Sequence, residues 1–215
     1  NITSSESIFN KKYSFIVMLA FLIAAFNQLS GINAFLYYAP RIFEEAGLAE
    51  SIALLNSVGI GLTNVIFTYV GINLIDRLGR RTLMYVGSFG YIVSLSLISL
   101  SFFLEWKGIF LPLFFFLFIA SHAIGQGAII WVYISEIFPN NIRSYGQSFG
   151  VSTHWILAAI IPSFIPFLFG FIGPGFVFSF FALMMVFQLL FVHFIMPETK
   201  GISLEDLSKK LVKIE

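Results

Sequence analysis

The chain has 215 residues, of which 58% are hydrophobic and 11% are charged, and its mean hydropathy is +0.92. Soluble globular proteins carry roughly 25% charged residues, so a water-facing shell cannot be built from this composition. The net charge of +1 argues against nucleic acid as a partner, and the lack of cysteine excludes disulfides, thiol catalysis and cysteine metal sites. We therefore predict an integral membrane protein whose first partner is the lipid bilayer.

The uncharged parts of the chain fall into long stretches. They lie at 13–40, 51–75, 82–104, 108–135 and 144–197. A helix needs about 20 apolar residues to cross a bilayer, so the last stretch is long enough for two crossings. Phe171–Gly175, which contains Gly-Pro-Gly, predicts the turn that divides it. The sequence predicts an all-α membrane protein with a six-helix bundle at 13–196, a linker segment at 1–12 and a tail at 197–215.

Lysine and arginine are concentrated on one side of these helices. With a cytoplasmic N-terminus, that side holds Lys11, Lys12, Arg77, Arg80, Arg81, Arg143, Lys200, Lys209, Lys210 and Lys213. Only Arg41 and Lys107 fall on the other side. The positive-inside bias predicts that both ends are cytoplasmic. The sequon at Asn1-Ile2-Thr3 would then face the wrong side to be glycosylated. Because the chain begins with a polar segment and no signal peptide pattern, we expect a fragment of a longer protein.

The first uncharged stretch carries polar side chains on both sides of a glycine. They are Asn27, Gln28, Ser30 and Asn33, around Gly31. A polar side chain inside a membrane needs a partner, a cavity or a ligand to offset its desolvation. Gln28 and Asn33 are five positions apart, about 140° round an ideal helix. A local unwinding at Gly31 would turn both amides into one cavity, so we predict a broken helix here.

Later stretches add more polar and aromatic side chains. They include Asn56 and Asn64, then His122, Gln126 and Trp131, then His154 and Trp155, with Pro162 and Pro166 predicting a kink beyond them. Amides donate and accept hydrogen bonds as sugar hydroxyls do, and an indole offers a flat face to the C–H side of a pyranose. The set suits an uncharged, hydroxyl-rich solute. For any single amide, hydrogen bonding between helices is an equal alternative.

Four motifs follow one another along the chain. They are QLSGINAFLYYAP at 28–40, DRLGRR at 76–81, SEIFPNNIR at 135–143 and PETKG at 197–201. In this order, and in register with six helices, they resemble the C-terminal half of a sugar porter of the major facilitator superfamily. The resemblance covers essentially the whole chain. It implies one half of a major facilitator fold, namely helices seven to twelve in two inverted three-helix repeats, with the N-terminal six-helix half missing.

The resemblance assigns roles to the polar residues. It makes Gln28 and Asn33 sugar ligands of the seventh helix, Asn64 a ligand of the eighth and Trp131 the aromatic side chain beside the sugar in the tenth. The chain departs from the family pattern at three points, each of which adds a candidate ligand. Asn27 stands where the family often has glutamine, Gln126 lies in Gly125–Ala128 instead of a proline-rich bend, and His154 replaces an amide.

The resemblance also gives the charged helix ends a role in gating. In porters of this kind such residues form ion pairs that close the inner gate when the cavity faces outward. One exposed pair contributes only about 0–1 kcal/mol, so a network is needed to shift the two access states. The candidates are Asp76, Arg77, Arg80, Arg81, Glu136, Arg143 and Glu198. A purely topological role for these charges is the alternative, and it accounts for Lys209, Lys210 and Lys213 entirely.

The predicted function is transport of a monosaccharide, such as a hexose or a pentose, by alternating access in the plasma (inner) membrane. Proton co-transport stays open, because the uncharged stretches hold no carboxylate and offer only His122, His154 and His193 as titratable groups near neutral pH. We favour His154 as a sugar ligand. The scattered histidines indicate no metal site, and we expect no enzymatic activity and no cofactor. A carrier of a polyol such as inositol and a sugar sensor that does not transport are the alternatives.

Overall fold

The computed structural model describes residues 6–45, 47–106 and 108–212, and within these ranges all regular structure is helical. The α-helices are α1 Ser14–Leu29, α2 Ile32–Glu45, α3 Glu50–Leu78, α4 Arg80–Phe103, α5 Phe110–His122, α6 Ala128–Ile137, α7 Arg143–Ile172, α8 Pro174–Phe194 and α9 Leu204–Leu211. A 3₁₀ turn at Lys11–Tyr13 precedes α1, and a π-helical turn at Ala123–Gly127 joins α5 to α6. The Asn1–Thr3 sequon, Lys107 and Lys213 lie outside the described residues.

Six helical segments are long and apolar enough to cross a membrane. They are Lys11–Glu45, Glu50–Leu78, Arg80–Phe103, Phe110–Ile137, Arg143–Ile172 and Pro174–Phe194. The number of predicted spans and the turn before Pro174 are confirmed, since Gly173 adopts φ +83° between α7 and α8. The first and fourth spans each consist of two α-helices, whereas α7 continues through Pro162 and Pro166 without ending.

The predicted break in the first span lies at Gly31. Helix α1 ends at Leu29, Gly31 adopts φ +80°, and α2 begins at Ile32. The ring of Phe181 on α8 packs against Gly31, so a Cβ there would meet both backbone strain and this ring. Gly31 therefore interrupts the helix and changes the direction of the backbone between Gln28 and Asn33.

The break in the fourth span is a close approach of two backbones. Gly125 in the π-helical turn has φ −87° and ψ −105°, outside the helical region. A Cβ built on Gly87 of α4 would lie 2.9 Å from the Cα atom of Gly125. The two glycines thus allow α4 to contact the turn directly.

Two apolar clusters fill the interior, and polar side chains lie between them. One cluster includes Met84 and Tyr133, and the other includes Phe35 and Phe178. The first, third, fourth and sixth spans each carry a buried polar residue where they pass from one cluster to the other, namely Gln28, Ser88, Gln126 and Gln188. We call Asn27, Gln28, Ser88, Gln126, His154 and Gln188 the polar layer.

Candidate functional site

The side chains of the polar layer are almost completely buried. Each is at most 8% exposed, although helices α1, α4, α7 and α8 and the π-helical turn are otherwise largely apolar. A buried N–H or C=O group without a partner is destabilising. The polar layer therefore has to form a hydrogen-bonded network, and its geometry decides which groups stay open to a ligand.

Gln28 is the centre of this network. Its Nε2 donates to Asn27 Oδ1 at 2.9 Å and lies 2.8 Å from Nε2 of His154, and its Oε1 accepts from Asn33 Nδ2 at 2.9 Å. The break at Gly31 makes the contact with Asn33 possible, as it turns the start of α2 back towards α1. The amides of Gln28 and Asn33, which the sequence predicted to share a cavity, are in direct contact.

His154 on α7 belongs to the same hydrogen-bonded network, through its contact with Gln28. If Gln28 donates to Nε2, the neutral imidazole carries its proton on Nδ1. That Nδ1 is buried and has no hydrogen-bond partner among the described residues. The ring of Trp131, which is 41% exposed, packs edge-on against the imidazole with 4.9 Å between centroids. An unsatisfied donor and an aromatic surface thus lie side by side.

Asn27 and Gln126 lie deeper in the bundle. Gln126 is 0% exposed, its Nε2 donates to Gln188 Oε1 at 2.6 Å, and its Oε1 accepts from Asn27 Nδ2 at 3.4 Å. Gln188 in turn donates to Ser88 Oγ at 2.7 Å. Neither Gln188 nor Ser88 was predicted as a site residue, although a single glutamine in the apolar stretch 174–194 is a signal that the sequence contains.

Two other candidates from the sequence lie outside this network. Asn64 on α3 is half-buried, and its side chain makes no hydrogen bond within the described part of the chain. His122 hydrogen-bonds through Nδ1 to the hydroxyl group of Tyr91 on α4. The structure therefore brings Asn27, Gln28, Asn33, Gln126, Trp131 and His154 together and leaves Asn64 apart from their hydrogen bonds.

The charged residues form a second cluster at one end of the bundle. Arg80, whose side chain is only 10% exposed, bonds through Nη2 to Glu136 Oε1 at 2.6 Å and through Nη1 to Asp76 Oδ1 at 3.0 Å. The other oxygen of Glu136 accepts from the hydroxyl group of Thr199 at 2.6 Å. This arrangement ties α4 to α6 and to the segment before α9.

Glu198 caps the start of α4. Its oxygens accept the backbone N–H groups of Arg80 and Arg81 at 3.0 Å each, so a carboxylate lies at a helix N-terminus where it is stabilising. Arg81 donates to the backbone carbonyls of Val192 and His193 at the end of α8. The start of α4 is therefore hydrogen-bonded both to the last turn of α8 and to Glu198 in the segment that follows α8.

Arg143 makes a different set of contacts. Its Nε donates to the carbonyl of Phe138 at 3.1 Å, while its Nη2 is buried and unpartnered among the described residues. Of the remaining candidates, Arg77 contributes its backbone carbonyl to the Lys200 ammonium group at 2.6 Å. The ion pairs of this end thus centre on Arg80 and Glu136.

Comparison with known proteins places the chain in a family. The family model described as "Sugar (and other) transporter" matches residues 1–211. The chain belongs to this family, and its fold is that of the sugar transporters of the major facilitator superfamily.

Its relatives include two proteins with stated sugars. The chain is 36% identical over 200 residues to the arabinose-proton symporter of Bacillus subtilis, with 92% of this chain and 43% of that protein covered. It is 31% identical over 198 residues to the D-xylose-proton symporter of Escherichia coli K12, with 89% and 40% covered. The inward-open structure of the xylose transporter of Escherichia coli superposes with a TM-score of 0.84 at 28% identity, covering 97% of this chain and 44% of that one. The chain thus spans about two fifths of the length of these relatives.

Proposed function

We propose that this chain is the C-terminal six-helix half of a transporter that moves a monosaccharide, a hexose or a pentose, by alternating access. The observation that carries the proposal is the contact between Gln28 and Asn33 across the break at Gly31, with His154 and Trp131 beside it. The names of the relatives, which include symporters of arabinose and of D-xylose, support the substrate class.

The chemistry of the site favours a neutral polyhydroxy solute. Asn33, Asn64 and His154 combine donors and acceptors, and none of the uncharged stretches contains a carboxylate that would bind a cationic substrate. Trp131 is sufficiently exposed to cover the apolar face of a pyranose. Asn27 and Gln126, being buried behind Gln28, contribute to this site by holding it in place.

A second six-helix bundle would complete the site. Sugar sites at the interface of two repeats lie near the bilayer midplane, and the relatives are more than twice as long as the matched region. In this arrangement the half-buried Asn33 and the exposed ring of Trp131, beside the polar layer, face the other half across the cavity. We place both chain ends in the cytoplasm and the protein in the plasma (inner) membrane, with the excess of lysine and arginine as support.

The charged cluster would act as the inner gate. Arg80 and Glu136 connect α4, α6 and the segment before α9, so the cluster resists separation of these elements at the cytoplasmic end. Asp76, Arg77, Arg81 and Glu198 extend it. Arg143, which is half-buried at the same end of the bundle, is our candidate for a bond to the second half when the gate closes.

The direct test is equilibrium binding of radiolabelled hexoses, pentoses and polyols to the complete transporter that contains this chain. Gln28→Ala should weaken binding of the preferred sugar about 5- to 150-fold, because the buried hydrogen bonds that hold Asn33 and His154 in place are lost. Asn73→Ala is the matched control, since that amide is exposed and bonds only to the carbonyl of Tyr69 within the described residues.

The same panel separates the alternatives. Tighter binding of inositol than of any monosaccharide would establish a polyol carrier. Binding without substrate-dependent uptake into proteoliposomes would establish a sensor. No binding of any of these solutes would contradict the proposed function.

A further inference from the structure

A continuous hydrogen-bonded chain runs from Asn27, which bonds to Gln28, to the backbone of α4. From Asn27 it passes to Gln126 at 3.4 Å, to Gln188 at 2.6 Å and to Ser88 at 2.7 Å, and Ser88 Oγ bonds to the carbonyl of Met84 at 2.7 Å. All four side chains are at most 3% exposed. We call Ser88, Gln188 and Gln126 the amide relay.

At Ser88, where the relay meets the backbone of α4, one assignment of hydrogen-bond donors and acceptors is favoured over the reverse. The Met84 carbonyl can only accept, so Ser88 donates its proton there and its oxygen accepts Nε2 of Gln188. In the opposite direction, the Gln188 oxygen would face Ser88, whose single proton would have to leave Met84. One of the two hydrogen bonds at Ser88 would then be lost. The observed direction is therefore favoured by about one hydrogen bond, or about 2- to 13-fold.

This direction propagates through the carboxamides, because each presents an oxygen on one side and an NH₂ group on the other. Gln188 presents Oε1 to Gln126, Gln126 presents Oε1 to Asn27, and Asn27 presents Oδ1 to Gln28. A reversal at any one amide would place two donors or two acceptors face to face. The relay can therefore reverse only as a whole.

At the other end of the hydrogen-bonded chain, Gln28 determines which atoms of Asn33 and His154 are available to a ligand. With Gln28 Oε1 occupied by Asn33 Nδ2, the amide oxygen Oδ1 of Asn33 has no hydrogen bond to another described residue. With Gln28 Nε2 donating to His154 Nε2, the proton of the neutral imidazole lies on Nδ1, which is buried and unpartnered within the same part of the chain. The site thus offers one acceptor and one donor at fixed places.

We propose that Ser88 and Gln188 are positioning residues that set the hydrogen-bond polarity of the sugar site through Gln126 and Asn27. In the observed direction Asn33 accepts from a sugar hydroxyl group and His154 donates to one. In the reversed direction Asn33 would donate and His154 Nδ1 would accept. This inference rests on the proposed function for its ligand, while the relay itself is a property of the ligand-free chain.

The first experiment needs no sugar. The variant Ser88→Ala removes the hydroxyl group that favours one direction, so the relay should reverse in part and move the His154 proton from Nδ1 to Nε2. Nitrogen-15 NMR of histidine-labelled transporter reports this tautomer, and His154→Gln assigns the signal among the three histidines of the chain. Wild type should show the Nδ1–H form, and Ser88→Ala should change the tautomer ratio about 2- to 13-fold towards Nε2–H.

Ser94→Ala is the matched control. Ser94 is a buried serine on the same helix and bonds to the carbonyl of Gly90 four residues back, but it receives no side-chain hydrogen bond within the described residues. The Ser94→Ala variant should therefore have the same His154 tautomer ratio as wild type. A wild-type Nε2–H form, or equal ratios in wild type and Ser88→Ala, would overturn the relay.

The second experiment measures the consequence for binding. Monofluoro analogues of the preferred sugar replace one hydroxyl group at a time by a weak acceptor that cannot donate. The analogue altered at the hydroxyl group that faces Asn33 should bind wild type about 5- to 150-fold more weakly than the parent sugar, and Ser88→Ala should reduce that penalty about 2- to 13-fold. An unchanged penalty would show that the relay does not act on the ligand.

The two experiments separate the two proposals. A tautomer shift in Ser88→Ala together with no sugar binding by wild type would refute the proposed function and, with it, the role of the relay in binding. Sugar binding by wild type without a tautomer shift in the variant would refute the relay and leave the proposed function intact.

Discussion

At the scale of single residues, Gln28 uses both amide hydrogens and its oxygen within the chain. By contrast, Asn33 Oδ1 and the side-chain amide of Asn64 have no hydrogen bond to another described residue. The two groups should therefore respond differently to substitution. Gln28 holds its neighbours in place and is itself held, while Asn33 and Asn64 are half-buried and have capacity for a ligand.

Asn33→Ala and Asn64→Ala should each weaken sugar binding without affecting membrane insertion. Each removes a donor and an acceptor from a partly desolvated site, which costs roughly 1–3 kcal/mol, or about 5- to 150-fold in affinity. Titration of the purified transporter with the preferred sugar measures the change. Wild-type affinity in both variants would refute the assignment of these amides as ligands.

His154→Gln should change sugar affinity or selectivity while any pH dependence of uptake survives. A glutamine side chain can both donate and accept near the same position, but it cannot titrate. Uptake into proteoliposomes at a series of external pH values tests both parts. Unaltered affinity combined with loss of proton dependence would identify His154 as the coupling residue instead.

At the scale of elements, the close contact of α4 with the π-helical turn depends on Gly87 and Gly125. Gly87→Ala would place a Cβ 2.9 Å from a backbone atom that cannot rotate away. We expect destabilisation of about 1–3 kcal/mol, measured as a lower Tm in detergent. Gly61→Ala is the control, because its Cβ would meet no heavy atom within 4 Å. Alanine should raise helix stability there by about 0.5–1 kcal/mol, and equal Tm values for the two variants would contradict the packing argument.

The charged cluster makes a prediction about the access states. Glu136→Gln removes the ion pair with Arg80 while keeping an acceptor for Thr199, so it should raise the inward-open population and slow net uptake without abolishing sugar binding. The chain contains no cysteine, so labelling of single introduced cysteines along α6 from the cytoplasmic side measures the change. Lys209→Gln, at an exposed ion pair with 3.8 Å between charged atoms, serves as control. Equal labelling of the Glu136→Gln and Lys209→Gln variants would indicate that the charges determine only the orientation of the chain in the membrane.

At the scale of the whole molecule, the proposed function makes this six-helix bundle one wall of a cavity. Residues 1–215 reconstituted alone should insert into a bilayer but show no saturable uptake, because alternating access requires two bundles that rock against each other. Uptake of radiolabelled sugar into vesicles, with the complete transporter as positive control, measures this. Saturable uptake by a monomer of this chain would contradict the prediction, whereas uptake by a homodimer would mean that a second copy replaces the other half.

The spans, the break at Gly31 and the set of amides around it could all be predicted from the sequence alone. These features depend on single positions in the sequence. An ionisable group is costly inside a bilayer wherever it occurs, so charged residues mark the ends of the spans. A positive φ favours glycine, so a glycine marks a position where a helix can be interrupted. The family motifs added the expected ligands. The prediction that Gln28 and Asn33 share one cavity followed from their spacing of five positions, whereas their direct contact is an observation of the structure.

The pairing of polar groups between different spans could not be predicted without the fold. Gln126 bonds to Gln188 on α8, a residue for which the sequence predicted no role. Glu136 bonds to Arg80, 56 positions away in the chain. Such pairs depend on how helices distant in sequence pack, and here on two glycines that bring α4 against the π-helical turn. Because hydrogen bonds are short and directional, their partners are fixed only once the helices are in contact.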